Sequence, residues 1–590
     1  MTTWVKGWLR HSTKKRLALL TVILIVVSLC GTQATSSLRA QQGPYANGRF
    51  GFGVTKSTSV AMEQGWPSYL NAGWYWDWVA KGETQLPPLK YAQTIRLSPV
   101  KSDNVQIGYT ASPTGTTLLA KIAAQPGATW FIGNEPDCTL MDNMISTWYA
   151  RAYHDLYHII KTADPTAQIA AGNIVQPTPQ RLEYLNRALA AYQAVYGEPL
   201  PADVWVIHSY ILCEKCYPFN IPLEPFAWGA CWVPDWPSRS TSEPLATFYS
   251  VYDHWDMDIF TQRIIDFRQW MYDNGYRDHP LMIAEYGVLF YQGLVSGMGQ
   301  ADDIAFMNAG FDWMREARDP VLGYKPDDNR LVQRWAWFSL DHGNYPGGTL
   351  FDPYNLVPTY LGTAYAAYTS QITPSVDLKT LDVILTAPTA AAGTPVTATV
   401  NLTVSNAGDV DAEGTIVAKI IANTPDNPTH SAPVGGTVLR PLECCGDHEP
   451  ITITWPNYIT STNYEYYITV LDIDLRLSDV WTPMQFDVIT PTTATLYATV
   501  ANHGYSEVGE ALTVTFYHQG TVMTPIGDAV IPAMECCGDQ ETVSVSWSDI
   551  TDGVYRFCAI ATTKYVETEP VCAHLWINAP FRVYLPIVAK

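Results

Sequence analysis

Trp130-Phe131-Ile132-Gly133-Asn134-Glu135-Pro136-Asp137 and Leu281-Met282-Ile283-Ala284-Glu285-Tyr286-Gly287 are built alike: an apolar run delivers a glutamate at its end. Pro136 cannot continue a strand ladder, so Glu135 stands at a strand exit. Burying an unpaired carboxylate is costly, so two such residues without a use are unexpected. Six further runs read as strands: Phe50–Thr55, Trp74–Val79, Tyr91–Leu97, Gln168–Gly172, Val204–Tyr210 and Arg334–Leu340. With Thr129–Gly133 and Leu281–Tyr286 they make eight. Ile145, Trp148, Ala152, Leu156, Ile159 and Ile160 recur at helical spacing after the fourth, with Pro165 past the end, and a comparable helix runs near Phe260 to Tyr272. Eight strands with helices between them predict an α/β fold, a (β/α)8 TIM barrel over residues 45–370. The competing reading is a doubly wound open sheet, but no GxGxxG follows the first strand. In a barrel, chemistry sits at the C-terminal strand ends. Strands four and seven are three apart round the ring, so Glu135 and Glu285 can face each other across its mouth. Two facing carboxylates, one protonated and one ionised, suit cleavage of a glycosidic bond.

Past residue 370 the text turns to Thr/Val alternation with Gly, Pro and Asn turns. Glu443-Cys444-Cys445-Gly446-Asp447 recurs 92 residues later as Glu535-Cys536-Cys537-Gly538-Asp539, each followed by an alternating strand ending in Trp455 or Trp547. Two immunoglobulin-like β-sandwich modules follow from this repeat, at 376–486 and 487–580, with a short apolar tail at 581–590.

At the other end, Lys6, Arg10, Lys14, Lys15 and Arg16 precede the apolar run Leu17–Cys30, 14 residues and short for a membrane span. Residues 1–40 read as a signal peptide cleaved after Ala34 or Ala40, or as an uncleaved anchor. The chain is therefore expected to be secreted or held at a cell surface, where disulfides are admissible. Ten cysteines remain beyond Cys30. Cys213, Cys216 and Cys231 fit a loop disulfide or a zinc site that lacks a second CxxC. The Cys-Cys pairs fit a vicinal bridge or bonds to separate strands, and Cys558 and Cys572 flank a hairpin-like stretch. Any true pair should hold its Cα atoms about 4.4–6.8 Å apart.

Of 590 residues only 15% are charged, and the net charge of −21 argues against nucleic acid as a partner. A hydrophobic content of 47% excludes a mainly disordered chain. A monomer is expected.

Residues 48–370 resemble the glycoside hydrolases of the large (β/α)8 clan whose acid/base and nucleophile are glutamates on strands four and seven. Asn134 stands before Glu135, His208-Ser209-Tyr210 ends strand six, and Trp335-Ala336-Trp337-Phe338 lies on strand eight, as is common there. Within the clan, Trp74-Tyr75-Trp76-Asp77-Trp78, Asn134-Glu135-Pro136-Asp137 and Arg334-Trp335-Ala336-Trp337-Phe338 resemble the endo-β-1,3-glucanase family. The chain departs from that family at Ile132-Gly133 and at Arg96. The resemblance implies a retaining enzyme with Glu135 as acid/base and Glu285 as nucleophile. Asn134 would bind the sugar 2-OH, Tyr210 or His208 would orient Glu285, and Trp337 would floor the cleaved subsite. Arg96, Asp137, Trp74 and Trp76 complete the substrate-binding candidates. Trp74, Trp76 and Trp78 share one face of a regular strand, which lines either the cleft or the core. No metal or organic cofactor is implied. The C-terminal modules resemble bacterial adhesion-related (CARDB-like) domains, which bind glycan, hold the enzyme at a surface or act as spacers.

The competing function is a surface adhesin whose barrel binds glycan without cutting it. Residue by residue, plainer roles stand beside the catalytic ones. Glu135 suits a helix start, Glu285 a satisfied structural carboxylate and His208 a hydrogen-bonded core histidine. The acidic run Asp253–Asp258 suits a helix start or solvated face rather than a calcium loop.

Overall fold

The computed structural model describes residues 47–578, except 56–57, 215–229, 236–246, 248, 291–294, 344, 346, 425–426, 463, 465 and 483–487. The export segment, Cys216 and the 581–590 tail lie outside the described residues. No described helix is long and apolar enough to cross a membrane. The chain divides into two compact units, Met1–Ala317 with Leu331–Thr373, and Arg318–Arg330 with Pro374–Lys590.

The first unit is a closed barrel. Its strands are β1 (Asn47–Gly53), β2 (Ala72–Trp76), β3 (Lys90–Ser102), β5 (Thr129–Ile132), β6 (Gln168–Ile174), β7 (Val204–His208), β8 (Leu281–Tyr286) and β9 (Arg334–Trp337). All neighbours are parallel, in the order β2-β1-β9-β8-β7-β6-β5-β3, and a β2–β3 pairing closes the ring. The far half of β3 turns back into a hairpin with β4 (Val105–Ser112), an element the sequence reading lacks. Trp74, Trp76, Phe131, Val204, Val206 and Met282 fill the interior with Ala92, Ala170, Ala284 and Ala336. Those alanines leave the volume that two indoles need in a close-packed interior. Trp74 and Trp76 are therefore core residues, and their indole N–H groups donate to Arg49 O and Ala284 O.

Strands alternate inward and outward side chains. On β9, Ala336 faces the interior while Trp335 packs on Phe50 and Trp337 on Tyr286. The helix Ser146–Ala163 buries Tyr149, Ala152, Tyr153, Leu156 and Ile160, whereas Ile159 is exposed. Its buried stripe thus includes two tyrosines that a purely aliphatic count passes over. The acidic run Asp253–Asp258 starts helices. Asp253 caps the turn after Ser250, and Asp256 accepts from the Asp258 and Ile259 amides.

The second unit contains two two-sheet sandwiches. The first pairs β10 (Leu378–Thr386), β11 (Pro395–Asn406) and β14 (Asp447–Ile459) in one sheet, and β12 (Thr415–Thr424), β13 (Asn427–Leu439) and β15 (Tyr466–Ile473) in the other. The second pairs β16 (Leu475–Trp481), β17 (Thr492–Asn502) and β20 (Asp539–Ile550), facing β18 (Leu512–Gln519), β19 (Met523–Ile531), β21 (Gly553–Thr562) and β22 (Val571–Ile577). β16 pairs with β17, so the second sandwich begins near Leu475 and not at 487. Leu475, Leu477 and Val480 bury into the second core.

The duplicated Cys-Cys loops share a backbone: Cys445 and Cys537 have φ of +70° and +67°. Cys536 and Cys537 form a vicinal disulfide with Cα atoms 3.8 Å apart. The expected range of about 4.4–6.8 Å fails there because adjacent trans-linked Cα atoms are fixed near 3.8 Å. The Cys444 and Cys445 sulfurs lie 2.7 Å apart. Cys558 and Cys572 sit opposite each other on β21 and β22 and are bonded, with Cα atoms 4.0 Å apart, again below the expected range because directly opposed antiparallel residues already stand close. Within this unit the segment Arg318–Arg330 lies on the first loop. The Tyr324 hydroxyl donates to Gly446 O at 3.2 Å, and Arg330 Nη1 donates to Ala407 O at 3.0 Å.

Candidate active site

Three strand exits meet at the barrel mouth. β5 leads through Gly133, at φ +83°, and Asn134 to Glu135, at φ +46°. The left-handed backbone costs a non-glycine residue roughly 1–2 kcal/mol, so the surroundings must impose it. Buried Asp142 fixes the approach to Glu135 by accepting the Asn134 and Leu97 amides, each at 2.8 Å, and pairing with Arg96 at 2.7 Å. β7 delivers His208 and then Tyr210; β8 delivers Glu285. The registers of β7–β8 and β8–β9 slip by a bulge near these residues, a common means of re-aiming side chains beside sites.

Oxygens of Glu135 and Glu285 and a ring nitrogen of His208 lie within 4.8 Å of one another. His208 Nδ1 is 2.9 Å from Glu135 Oε1 and 3.4 Å from Glu285 Oε2. Glu285 has two further partners. The Trp78 indole N–H donates to Oε1 at 2.7 Å, and the Tyr210 hydroxyl donates to Oε2 at 2.8 Å. Burial pushes the Glu285 carboxyl up to about 6, and the Glu135 charge adds to this. His208 and the bonds from Trp78 and Tyr210 pull the other way. For His208, burial disfavours the charged ring, but Glu285 and Glu135 outweigh it and raise the pKa. Both oxygens of Glu285 meet hydroxyl or indole donors, whereas among the described residues the Glu135 side chain meets the imidazole alone. Those donors favour the ionised form of Glu285 and oppose the effect of its burial.

The two glutamates line a cavity of about 310 Å³, together with Asn134, Arg96, Trp78, Tyr210, Phe338 and Tyr345. His208 is fully buried beneath it. Four expected substrate contacts need correction. Trp337 is fully buried, and its indole N–H donates to Gly348 O at 2.7 Å. Ala336 faces inward, so Trp337 must face away, and Phe338 supplies the aromatic wall instead. Asp137 is also fully buried and pairs with Arg181 at 2.5 Å, away from the cavity lining. Burial pushes its carboxyl up to about 6, against the pull of Arg181. Trp74 and Trp76 lie in the barrel core. Trp78, two positions on, is the member of that series that reaches the cavity. Phe338 and Tyr345 are absent from the expected set, and Trp78 enters it only as part of a face open to cleft or core; period-2 counting from the interior residues Ala336 and Trp76 finds Phe338 and Trp78.

Cys138 and Cys231 are disulfide-bonded with Cα atoms 5.2 Å apart, and both line the cavity. Cys213 is disulfide-bonded as well, so neither it nor Cys231 is available to a zinc ion. Glu135, His208 and Glu285 form a donor set that a divalent cation could use.

No protein-family model matches the chain, and no curated protein matches it. Among solved structures, one similar chain is a GH128 (subgroup II) endo-β-1,3-glucanase from Pseudomonas viridiflava, at 13% identity over 55% of this chain and 98% of that one, TM-score 0.34. Another is a GH128 (subgroup III) curdlan-specific exo-β-1,3-glucanase from Blastomyces gilchristii, at 15% identity over 54% and 97%, TM-score 0.31. A family 39 glycoside hydrolase from Bacteroides cellulosilyticus matches at 12% identity over 70% and 81%, TM-score 0.31. Similarities this low carry no assignment of family or activity. What the chain itself presents is a closed barrel with two glutamates from its fourth and seventh strands, joined through one histidine at the base of an aromatic-walled cavity.

Proposed function

We propose that the barrel is a retaining glycoside hydrolase acting on a polysaccharide, with β-1,3-glucan the first candidate. The observation that carries this reading is the spacing of the Glu135 and Glu285 oxygens, within 4.8 Å. Retaining enzymes hold their carboxyl groups about 5–5.5 Å apart, and inverting ones need about 6.5–9.5 Å to admit a water. Glu135 gives its proton to the leaving glycosidic oxygen while ionised Glu285 attacks the anomeric carbon. Glu135, now ionised, then takes a proton from the water that releases the sugar. Trp78 and Tyr210 stabilise the anionic state of Glu285 that attack requires. Asn134 presents a cavity-side amide to the sugar, and Phe338 and Tyr345 offer aromatic faces to its C–H surface. The substrate candidate comes from the motif resemblance at Asn134–Asp137 and Arg334–Phe338. Residues 1–40 support export, and the sandwich modules support attachment or spacing outside the cell.

The test is reducing-end release from β-1,3-, β-1,4- and mixed-linkage glucans by wild type, Glu135→Gln and Glu285→Gln. Each variant should lose about 100- to 10,000-fold in turnover, and the first-formed product should keep its anomeric configuration by NMR. Equal activity in all three proteins would overturn the assignment; an inverted product would overturn the mechanism. The tandem sandwiches favour one second reading, a glycan-binding adhesin. Binding to the same glucans without turnover over days would establish it.

A further inference from the structure

Arg181 lies in the first turn of the helix Pro179–Tyr196 and is fully buried, yet it touches three separate segments around the mouth. Its Nη1 donates to Asp137 Oδ2 at 2.5 Å and to Asp137 O at 3.2 Å. Its Nε and Nη2 form a fork on Glu214, at 2.8 and 3.1 Å, and Nη2 also donates to Cys231 O at 2.6 Å. Asp137 further accepts the Val175 amide, and Cys138 is bonded to Cys231. The guanidinium therefore fastens the residues just after Glu135 to the exits of β6 and β7 and to the cavity wall at Cys231.

Glu135 needs such a fastening more than Glu285 does. Its backbone is left-handed, at φ +46°. Among the described residues its side chain meets His208 alone, whereas Glu285 is held by Trp78, Tyr210 and His208. The position of the Glu135 carboxyl is thus set chiefly by its turn. On one flank the turn is held by Asn173, which accepts the Glu135 amide at 3.0 Å and donates to Gly133 O at 2.8 Å. On the other it is held by Asp137. We infer that Arg181, through Asp137, is a positioning residue for Glu135, setting the proton donor and leaving the nucleophile untouched. The inference rests on the glycosidase reading above, and it gives Asp137 a role that its place in the Asn-Glu-Pro-Asp motif did not suggest.

A misplaced proton donor harms departure of a poor leaving group and leaves a good one almost unaffected. The test compares Asp137→Asn and Arg181→Lys with wild type on laminarin and on two aryl β-laminaribiosides, methylphenyl and dinitrophenyl. Asp137→Asn keeps shape and bonding capacity, so it serves if Arg181→Lys fails to fold. Both variants should lose about 100-fold in kcat on laminarin and the methylphenyl glycoside. The dinitrophenyl glycoside should change less than about fivefold in its first step, with added azide speeding release of the sugar. Equal loss on both aryl glycosides, or no loss on either, overturns the positioning role. Glu135→Gln and Glu285→Gln run alongside. If those remain active the glycosidase reading itself falls, and if both are inactive while Asp137→Asn shows no leaving-group dependence only this inference falls. Absence of wild-type turnover on laminarin and both glycosides overturns it through its substrate.

Discussion

Glu285 is held between opposing demands. Burial lifts its pKa from 4.5 to about 6, so the folded protein binds the proton more tightly than the unfolded chain does. The associated stability is present at low pH and is lost as pH rises from about 4.5 to about 6. Above that window the ionised carboxylate is destabilising, on the order of 1–2 kcal/mol. Glu285→Gln removes the charge and should be more stable than wild type by about 1–2 kcal/mol at pH 7.5, with the gain fading by pH 4. Denaturation at the two pH values checks this, and a gain that is larger at pH 4 would contradict it. The same ionisation sets the acid side of activity, which should fall below pH about 6. Both glutamates are legible in the text because each interrupts an apolar run with a charge that is costly to bury. Asp137 is misread from sequence for the opposite reason: its counterion stands 44 residues away.

At the scale of elements, phase decides what reaches the cavity. A shift of one residue turns a strand side chain to the other face. Eight apolar runs suffice to indicate the barrel, but which aromatic of Trp335-Ala336-Trp337-Phe338 meets the cavity depends on whether Ala336 points inward. The small-residue interior formed by Ala170, Ala284 and Ala336 settles that, and no single strand reveals it. The loop after β2 places Trp78, at φ +59°, so that its N–H reaches Glu285. Trp78→Phe keeps the aromatic surface and deletes the donor. Loss of a hydrogen bond to the charged form raises a carboxyl pKa, so the acid limb of kcat/KM should move up by about one unit. An unmoved limb would show that the indole acts by shape alone.

At the scale of the molecule, the Cys-Cys repeat announces the sandwiches, but pairing in space sets their boundary: β16 lies before 487 and joins β17. The segment Arg318–Arg330 belongs to the second unit although the chain on both sides of it belongs to the first. Nothing in the segment's own text announces this, because its partners come 57 or more residues later. A chain ended at Thr373 keeps the segment and loses the groups that cover Tyr324, now 4 % exposed. A chain ended at Ile473 retains them. Limited proteolysis should cut within 318–330 at least tenfold faster in the shorter chain, since cleavage follows the population of the open form. Equal rates would show that the segment holds its shape unaided.

The same segment imposes an order on biosynthesis. Gly446 is translated 122 residues after the Tyr324 that bonds to it. At about 5–20 residues per second, that interval is roughly 6–24 s. Once Trp337 has been made, the barrel strands can already be complete while one stretch inside their sequence still awaits its partner. Completion of the first sandwich, rather than of the barrel, is then the moment from which a folding chaperone would find that stretch covered.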